Sequence, residues 1–234
     1  MSVRTFAAVL LDLDGTLIDS EPAHVRAHRR FLTGKGLDVP EARLYDNIGK
    51  SDARLFQDLM QEHGLTEDVE EWKQAKSGVL MEILRDEGVP LRSGARALLE
   101  HAWSEGLTCC VVTSSPRAVA ALALEAVGLA ARLPMRVCFE DTAPRHKPDP
   151  HPYTLAAQRL GVPIERCLAI EDSISGIASA HAAGAIVIAV DGHASEAEQI
   201  AAGAGRMVRC LSELLPLNRQ PGATSSFRRT VKKV

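Results

Sequence analysis

Short apolar runs recur along the chain and divide it into a regular series of predicted strands. They lack the alternation of apolar and polar positions expected of a strand with one wet face, which favours parallel strands covered on both sides. Segments with helical periodicity separate most of the runs. This alternation predicts an α/β fold with a doubly wound parallel sheet. The runs span residues 6–11, 107–112, 136–139, 167–170, 185–190 and, more weakly, 207–210.

One interval breaks this rhythm, because roughly ninety residues separate the first run from the second. Its apolar positions repeat with helical spacing throughout. We therefore predict an inserted helical cap at residues 18–91, placed over the carboxyl edge of the sheet, and a core formed by residues 1–17 and 92–217. Hinges near residues 18–20 and 90–93 are expected to let the cap open and close.

Composition and charge favour an ordinary soluble globular protein and argue against a protein that binds nucleic acid. The 234 residues are 46% hydrophobic and 24% charged, which suits one or two soluble domains. Residues 218–234 carry five basic and no acidic side chains, so residues 1–217 hold 22 basic against 30 acidic residues, a net charge of −8. An acidic folded part argues against a nucleic-acid partner. The basic tail is predicted to be disordered.

The five cysteines show no metal-binding spacing, and Cys109 and Cys110 adjoin within an apolar run. We interpret them as buried, reduced thiols, which suits a cytoplasmic protein. No apolar stretch reaches the length of a membrane span, and no basic segment precedes an apolar one at the N-terminus. The sequence therefore predicts neither a membrane span nor a signal peptide. A monomer is the default expectation.

Two carboxylates follow the first apolar run. Asp12 and Asp14 stand two positions apart, so they project to the same side of a strand end, and Gly15 then lets the backbone turn away. Two such charges about 4 Å apart would repel by roughly 4 kcal/mol at an effective dielectric constant near 20. A cation, a shared proton or a basic side chain must offset this repulsion. Taken alone, the pattern also fits ordinary turn and helix-capping residues.

A second acidic pair, Glu171 and Asp172, follows the apolar run at 167–170. Ligands of open α/β sheets bind outside the carboxyl ends of the strands, so we expect both acidic pairs to meet in one crevice. Carboxylate ligands of this kind suit Mg²⁺. The alternative is that Asp172 or Ser173 simply caps the following helix.

Two further segments offer groups that bind an anion. Thr113, Ser114 and Ser115 end another apolar run just before a helix, where hydroxyl and free N–H groups form either an anion site or an ordinary helix cap. Lys147 and Pro148 place a lysine just ahead of a predicted helix. By itself, that segment is a proline-rich turn.

Taken in order, these four segments resemble the four motifs of the haloacid dehalogenase superfamily. They read Asp-x-Asp-Gly-Thr from position 12, a strand-end threonine at 113, Lys-Pro from 147 and Glu-Asp-Ser-x-x-Gly from 171. The segment Asp-Ser-Glu-Pro-Ala-His at 19–24 is similar to the branch that contains β-phosphoglucomutases and phosphatases. The resemblance covers residues 6 to about 215. It implies an α/β core with a helical cap between the first two motifs.

The resemblance implies a role for each motif residue in phosphoryl transfer. Asp12 would be the nucleophile that forms an aspartyl-phosphate, and Asp14 would be the general acid and base. Thr113 and the N–H group of Ser114 would hold the phosphoryl oxygens. Lys147 would neutralise the nucleophile and the phosphate.

The resemblance also implies a Mg²⁺ ion between the Asp12 carboxylate, the Asp14 carbonyl and Asp172, with Glu171 joining or orienting that shell. Four carboxylates and a phosphate dianion sum to −6 against one lysine, so the anionic attack needs a divalent cation. The presence of Asp14 favours phosphoryl transfer over carbon–halogen cleavage, because haloacid dehalogenases lack this second aspartate. A non-catalytic binding protein would be expected to lose Asp12, Asp14 or Lys147, and all three are present.

Substrate choice is expected to rest with the cap. The candidate substrate-binding residues are His24, Lys50 and, from the core, Arg117, together with the serines after the second strand. His24 matches a histidine of β-phosphoglucomutases, whereas Asp52 stands where those enzymes carry an arginine for the distal phosphate of the substrate. Either Lys50 replaces that arginine or the cap takes no second phosphate. We favour a phosphatase of small phosphate monoesters, such as sugar phosphates, over a mutase-like sugar phosphate isomerase.

Overall fold

The computed structural model describes residues 6–47 and 52–217. Lys50 and the basic tail at 218–234 lie outside the described residues. Their predicted roles stay predictions.

Six short strands form one sheet in which every neighbouring pair is parallel. They are β1 (Ala8–Leu11), β2 (Thr108–Val112), β3 (Arg136–Val137), β4 (Cys167–Glu171), β5 (Ile186–Val190) and β6 (Arg206–Val208). Their order is β3-β2-β1-β4-β5-β6, so the direction of winding reverses beside β1. The prediction of a doubly wound α/β fold is confirmed.

Strand β1 is buried on both faces, which explains its unbroken apolar sequence. Val9 and Leu11 pack into one hydrophobic cluster, and Ala8 and Leu10 pack into another on the opposite side of the sheet. Successive side chains of a strand point to opposite faces, so a sheet with helices on both sides needs apolar residues at every position.

Helices flank the sheet and fill the predicted cap. Among the described residues, four lie between β1 and the helix that precedes β2: α1 (Glu21–Gly34), α2 (Glu41–Asp46), α3 (Asp52–His63) and α4 (Val69–Glu87). The others are α5 (Ala95–Ser104), α6 (Arg117–Ala126), α7 (Phe139–Thr142), α8 (His151–Leu160), α9 (Ile174–Ala183) and α10 (Glu196–Ala201). The sequence analysis did not predict helices α2, α7 and α10, because four to six residues are too few to show helical periodicity. None of the described helices is long and apolar enough to cross a membrane.

The helices of the predicted cap share a hydrophobic cluster of their own. The rings of Phe31, Phe56 and Trp72 contact one another with centroids 5.3 to 5.6 Å apart and join α1, α3 and α4. Helix α4 also packs against the core, since its residues Leu80 and Ile83 belong to the same hydrophobic cluster as Val9 and Leu11 of β1. The cap therefore contacts the core through a shared apolar surface.

Candidate active site

The predicted motif residues converge at the carboxyl edge of the sheet. Asp12 follows β1, Thr113 follows β2, Glu171 is the last residue of β4, and Asp172 comes next. Strand β1 lies between β2 and β4, so the three strand ends are neighbours. This is the place where the winding reverses and where ligands of such sheets bind.

Lys147 brings a positive charge into this edge from the loop between α7 and α8. Its ammonium donates to Oδ1 of Asp12 at 2.7 Å, to Oε1 of Glu171 at 2.5 Å and to the carbonyl of Val112 at 2.9 Å. The side chain is only 4% exposed. Burial alone would lower the pKa of Lys147, but the charges of Asp12 and Glu171 outweigh burial and raise it. Lys147 is therefore a permanent cation beside Asp12.

Glu171 is a buried carboxylate with its acceptor positions already engaged. Oε1 accepts hydrogen bonds from Lys147 and from the Tyr153 hydroxyl at 2.7 Å, and Oε2 accepts from the hydroxyl and N–H of Ser173 at 3.0 and 3.3 Å. A carboxylate has about four acceptor positions. Gly176 leaves the necessary room, because a Cβ atom there would lie 1.8 Å from Oε1. Glu171 thus fixes the position of Lys147.

Asp12, Glu171 and Asp172 form the one acidic cluster among the described residues whose ligand atoms all lie within 4.8 Å of one another. Burial, with Glu171 beside it, raises the pKa of Asp172 to about 7. Burial also raises the pKa of Asp12 well above its ordinary value, although Lys147 opposes this. It is energetically unfavourable to keep these buried carboxylates ionised. A bound divalent cation would offset this free-energy cost. Oxygen donors at this spacing could hold a divalent cation.

Two residues of the turn after β1, Gly15 and Thr16, lie against the carboxylate of Asp172. Gly15 adopts a φ of +81°, and a Cβ atom there would lie 2.3 Å from Oδ2 of Asp172. The Thr16 hydroxyl donates to Oδ1 of Asp172 at 2.9 Å. The Gly-Thr pair of the first motif is therefore needed both for the turn and for the position of a carboxylate from β4.

Asp14 is not part of the acidic cluster and is surrounded by donors. Oδ1 accepts from the Ser20 hydroxyl at 2.7 Å, and Oδ2 accepts from the hydroxyls of Ser115 at 2.6 Å and Thr113 at 3.4 Å. Burial would raise the pKa of Asp14, but His24, Ser115 and Ser20 together outweigh burial and hold it well below its ordinary range. Asp14 is thus a carboxylate at neutral pH.

His24 reaches Asp14 from the cap. Its Nε2 atom is buried without a hydrogen-bond partner within the described residues and lies 3.6 Å from Oδ1 of Asp14. Its Nδ1 atom lies 2.9 Å from the ammonium of Lys76. An ammonium can only donate, so Nδ1 accepts and the proton of the ring is on Nε2. The imidazole therefore directs an N–H group towards Asp14.

Three of these residues were missed by the sequence analysis. Tyr153 sits in an ordinary helical pattern of α8, and Ser20 lies within the Asp-Ser-Glu-Pro-Ala-His segment at 19–24, where the sequence analysis assigned no role to the serine. Lys76 had a signal, because it lies four residues from both Trp72 and Leu80 on the apolar face of α4. A lysine at such a position is buried and needs a partner.

Ser114 and Arg117 are the remaining predicted substrate-binding residues that the structure describes. Ser114 is exposed. The guanidinium of Arg117 pairs with Asp141 of α7 at 2.7 Å, and the backbone N–H group of Arg117 donates to the carboxylate of Glu140, also in α7. A role for Arg117 in substrate binding stays a prediction that would require this ion pair to break.

The family follows from a comparison over most of the chain. A family model described as haloacid dehalogenase-like hydrolase matches residues 6–184. The chain belongs to the haloacid dehalogenase-like hydrolases. The predicted family is thereby confirmed, and it fits the four motifs described above, three of which follow strands while Lys147 lies in the loop between α7 and α8.

Relatives of this haloacid dehalogenase-like hydrolase include named phosphatases. Hexitol phosphatase A of Escherichia coli is 35% identical over 182 residues, which cover 78% of this chain and 82% of that protein. The phosphorylated carbohydrates phosphatase of Thermotoga maritima is 30% identical over 181 residues, which cover 76% and 81%. A solved structure of a CbbY mutant from Rhodobacter sphaeroides in complex with xylulose-(1,5)-bisphosphate aligns with a TM-score of 0.77 at 25% identity and covers 90% of this chain and 97% of that one.

Proposed function

We propose that this protein is a Mg²⁺-dependent phosphatase that hydrolyses small phosphate monoesters through an aspartyl-phosphate on Asp12. The observation that carries the proposal is the contact between Asp12 and Lys147 inside a buried acidic cluster, next to the separately ionised Asp14. These groups supply a nucleophile, a fixed cation and a proton carrier. Transfer of a phosphoryl group to a carboxylate requires all three.

Asp12 has one oxygen available for attack. Lys147 donates to Oδ1, and no hydrogen bond within the described residues occupies Oδ2. Attack by Oδ2 forms a bond to phosphorus and breaks the bond from phosphorus to the ester oxygen, which leaves with both bonding electrons and takes up a proton. Water then attacks phosphorus, and the release of inorganic phosphate restores the Asp12 carboxylate.

Asp14 is placed to carry the proton in both steps. The surrounding donors keep it ionised, but an arriving phosphate dianion adds negative charge beside it and raises its pKa. The protonated acid can then give its proton to the departing ester oxygen. Once ionised again, Asp14 can take a proton from the attacking water.

Other groups balance the charge of the phosphoryl group. The hydroxyl of Thr113 and the N–H group of Ser114 are proposed to bind its oxygens, while Lys147 stays against the nucleophile. Mg²⁺ held by Asp12 and Asp172 would supply electrophilic stabilisation when bound. The engaged oxygens of Glu171 support a role in orienting Lys147 instead of a direct bond to the metal.

The names of the relatives support a phosphorylated carbohydrate or a similar metabolite as substrate. Release of phosphate is favoured over its return to the sugar, because Asp52 stands where β-phosphoglucomutases carry an arginine. We also propose a cytoplasmic location, which the five free cysteines support.

A phosphate-release assay tests this proposal. Purified protein is incubated with a panel of sugar and polyol phosphates, with Mg²⁺ or with EDTA, and inorganic phosphate is measured. We expect release from at least one compound and loss of that release in EDTA. Failure to release phosphate from the whole panel would overturn the proposal. Interconversion of phosphate isomers that depends on a bisphosphate activator would identify an isomerase instead.

A further inference from the structure

Gln199 is a buried polar residue that the proposed chemistry does not use. It lies in α10, the helix that follows β5, and it is 0% exposed. The next residue, Ile200, is 42% exposed. Glutamine is found mostly at protein surfaces, and an amphipathic helix ordinarily turns its apolar residues inwards. This reversal of polar and apolar positions indicates that Gln199 is kept in the interior for its hydrogen bonds.

The side-chain amide of Gln199 connects two chain segments at the carboxyl edge of the sheet. Its Nε2 atom donates to the carbonyl of Asp172 at 3.1 Å and to the carbonyl of Val190 at 2.9 Å. An amide nitrogen of this kind carries two N–H groups, so both are used. These partners also fix the orientation of the amide, because the opposite orientation would place Oε1 against two carbonyl oxygens. Gln199 therefore bridges the residue after β4 and the last residue of β5.

This orientation leaves the acceptor of Gln199 unsatisfied. Oε1 is buried and has no hydrogen-bond partner within the described residues. A buried polar atom without a partner is destabilising, and an apolar side chain of similar size would avoid that cost. A departure of this kind from ordinary packing is typical of a functional site. The two bonds from Nε2 are the evident benefit of a glutamine here.

These two bonds lie where the hydrogen-bonded ladder between β4 and β5 ends. The last paired residues of the two strands are Glu171 and Ala189. Beyond them, the N–H group of Ser173 donates to the side chain of Glu171. That N–H group therefore does not extend the ladder towards β5. The amide of Gln199 joins the two segments at this point instead.

Asp172 is the residue whose position these bonds affect. Its carboxylate belongs to the acidic cluster described above. The Thr16 hydroxyl contacts that carboxylate, whereas Gln199 holds the backbone carbonyl of the same residue. Gly192 packs closely from the loop after β5, because a Cβ atom there would lie 3.3 Å from Cβ of Asp172. The backbone and the side chain of Asp172 are thus held by separate contacts.

We propose, on the basis of the phosphatase function above, that Gln199 is a positioning residue for the divalent cation. Its amide ties the carbonyl of Asp172 to that of Val190 and so keeps the Asp172 carboxylate at the spacing that lets the acidic cluster bind the ion. A carboxylate on a freer backbone would have to become ordered when the ion binds, and this loss of entropy weakens binding.

Direct measurement of metal binding tests the proposal without relying on phosphatase activity. Mn²⁺ is a suitable probe, because it takes the same oxygen donors as Mg²⁺ and its free concentration can be read by electron paramagnetic resonance. Gln199→Met keeps the length of the side chain but removes both N–H donors. We expect its dissociation constant for Mn²⁺ to rise by about tenfold or more. A folded Gln199→Met protein, checked by circular dichroism, with the dissociation constant of the wild type would overturn the proposal.

Val187→Ala is a matched control for a general loss of packing in β5. Val187 lies in the same strand as Val190, is buried and packs into the hydrophobic cluster on one face of the sheet. The substitution should lower the melting temperature, because it removes apolar contacts. Its dissociation constant for Mn²⁺ is expected to stay within about twofold of the wild type, since the bonds of Gln199 remain. An equal rise in both variants would contradict a specific role for Gln199.

A measurement on the wild type applies even where Gln199→Met does not fold. In NMR spectra, the side-chain NH₂ signals of Gln199 should exchange slowly with solvent, because both N–H groups are buried and hydrogen-bonded. The same signals should shift as Mg²⁺ is added. Rapid exchange, or signals that do not respond to Mg²⁺, would overturn the proposal.

Failure of the proposed function gives a different result from failure of this inference. A protein that binds Mn²⁺ in a manner dependent on Gln199, but releases no phosphate from the substrate panel, would retain the positioning role and lose the phosphatase function. A wild-type protein that binds no Mn²⁺ would overturn the positioning role, whatever its activity.

Discussion

The ammonium of Lys147 lies 2.7 Å from Oδ1 of Asp12, and both side chains are almost fully buried. The two residues are far apart in the sequence, on the loop before α8 and at the end of β1. Their contact gives the carboxylate a fixed countercharge while its second oxygen stays available. An ion pair of this kind is costly to bury, so a functional reason for keeping it is expected.

Replacement of Asp12 by asparagine should abolish turnover and preserve the fold. The amide oxygen can still accept from Lys147, but an amide is a poor nucleophile towards phosphorus. We expect kcat for phosphate release to fall by more than about 10³-fold. Circular dichroism and thermal melting should show a folded protein. Turnover at the wild-type rate would refute the role of Asp12 as nucleophile.

Removal of the lysine should affect stability as well as activity. In Lys147→Met, the carboxylates of Asp12 and Glu171 lose their shared cation inside the protein. We expect a loss of about 3–5 kcal/mol in the free energy of unfolding, measured by urea denaturation in EDTA, and no detectable phosphate release.

A double variant separates the loss of stability in Lys147→Met from its loss of activity. Glu171→Gln, added to Lys147→Met, removes one of the unpaired charges and should recover part of the lost stability but none of the activity. Equal stability of the single and double variants would show that the buried charge of Glu171 is not the cause. The surface variant Lys73→Met is a suitable control, because Lys73 pairs with the exposed Glu70 and should change stability little.

Much of the fold and the convergence of the motifs could be predicted from local patterns. Parallel strands buried on both faces must be apolar throughout, so the runs ending at Leu11, Val112 and Ile170 are visible without a structure. Polar residues directly after such runs must lie at the carboxyl edge of the sheet. The placement of Asp12, Thr113 and the Glu171–Asp172 pair at one edge follows from these two facts.

The partners of those residues could not be predicted in the same way. Tyr153 and Lys76 are helical positions whose roles depend on which side chain approaches from another part of the chain. The contact between Lys76 and His24 spans 52 positions, and that between Tyr153 and Glu171 depends on how α8 packs on the sheet. Short helices could not be predicted for a simpler reason, since they contain too few residues to show a helical repeat of apolar positions.

In the metal-free protein, Asp172 should lower stability as the pH rises from about 4 to about 7. Burial raises the pKa of Asp172 to about 7 in the folded protein, above an ordinary value of about 3.9 in the unfolded chain. Within that window the unfolded chain releases a proton that the folded protein retains, which favours unfolding as the pH rises. We therefore expect Asp172→Asn to be more stable than the wild type at pH 8, by on the order of 2 kcal/mol.

Urea denaturation in EDTA between pH 4 and pH 8 checks this prediction. The difference between Asp172→Asn and the wild type should vanish near pH 4, where both side chains are uncharged. Added Mg²⁺ should stabilise the wild type but not the variant, because only the wild type keeps the full ligand set. A difference that is independent of pH would contradict the assigned cause.

The turn at Gly15 should matter for the metal as well as for the backbone. Alanine at this position has an unfavourable φ of +81°, and its Cβ would lie 2.3 Å from Oδ2 of Asp172, so that carboxylate must move. We expect Gly15→Ala to lose about 1–2 kcal/mol of stability from the backbone alone and to need a higher Mg²⁺ concentration for half-maximal activity. Gly36→Ala is the matched control, because Gly36 has a φ of +76° with no atom near a Cβ. The control should lose similar stability without a change in Mg²⁺ dependence. An equal Mg²⁺ requirement in both variants would show that the space beside Gly15 does not position Asp172.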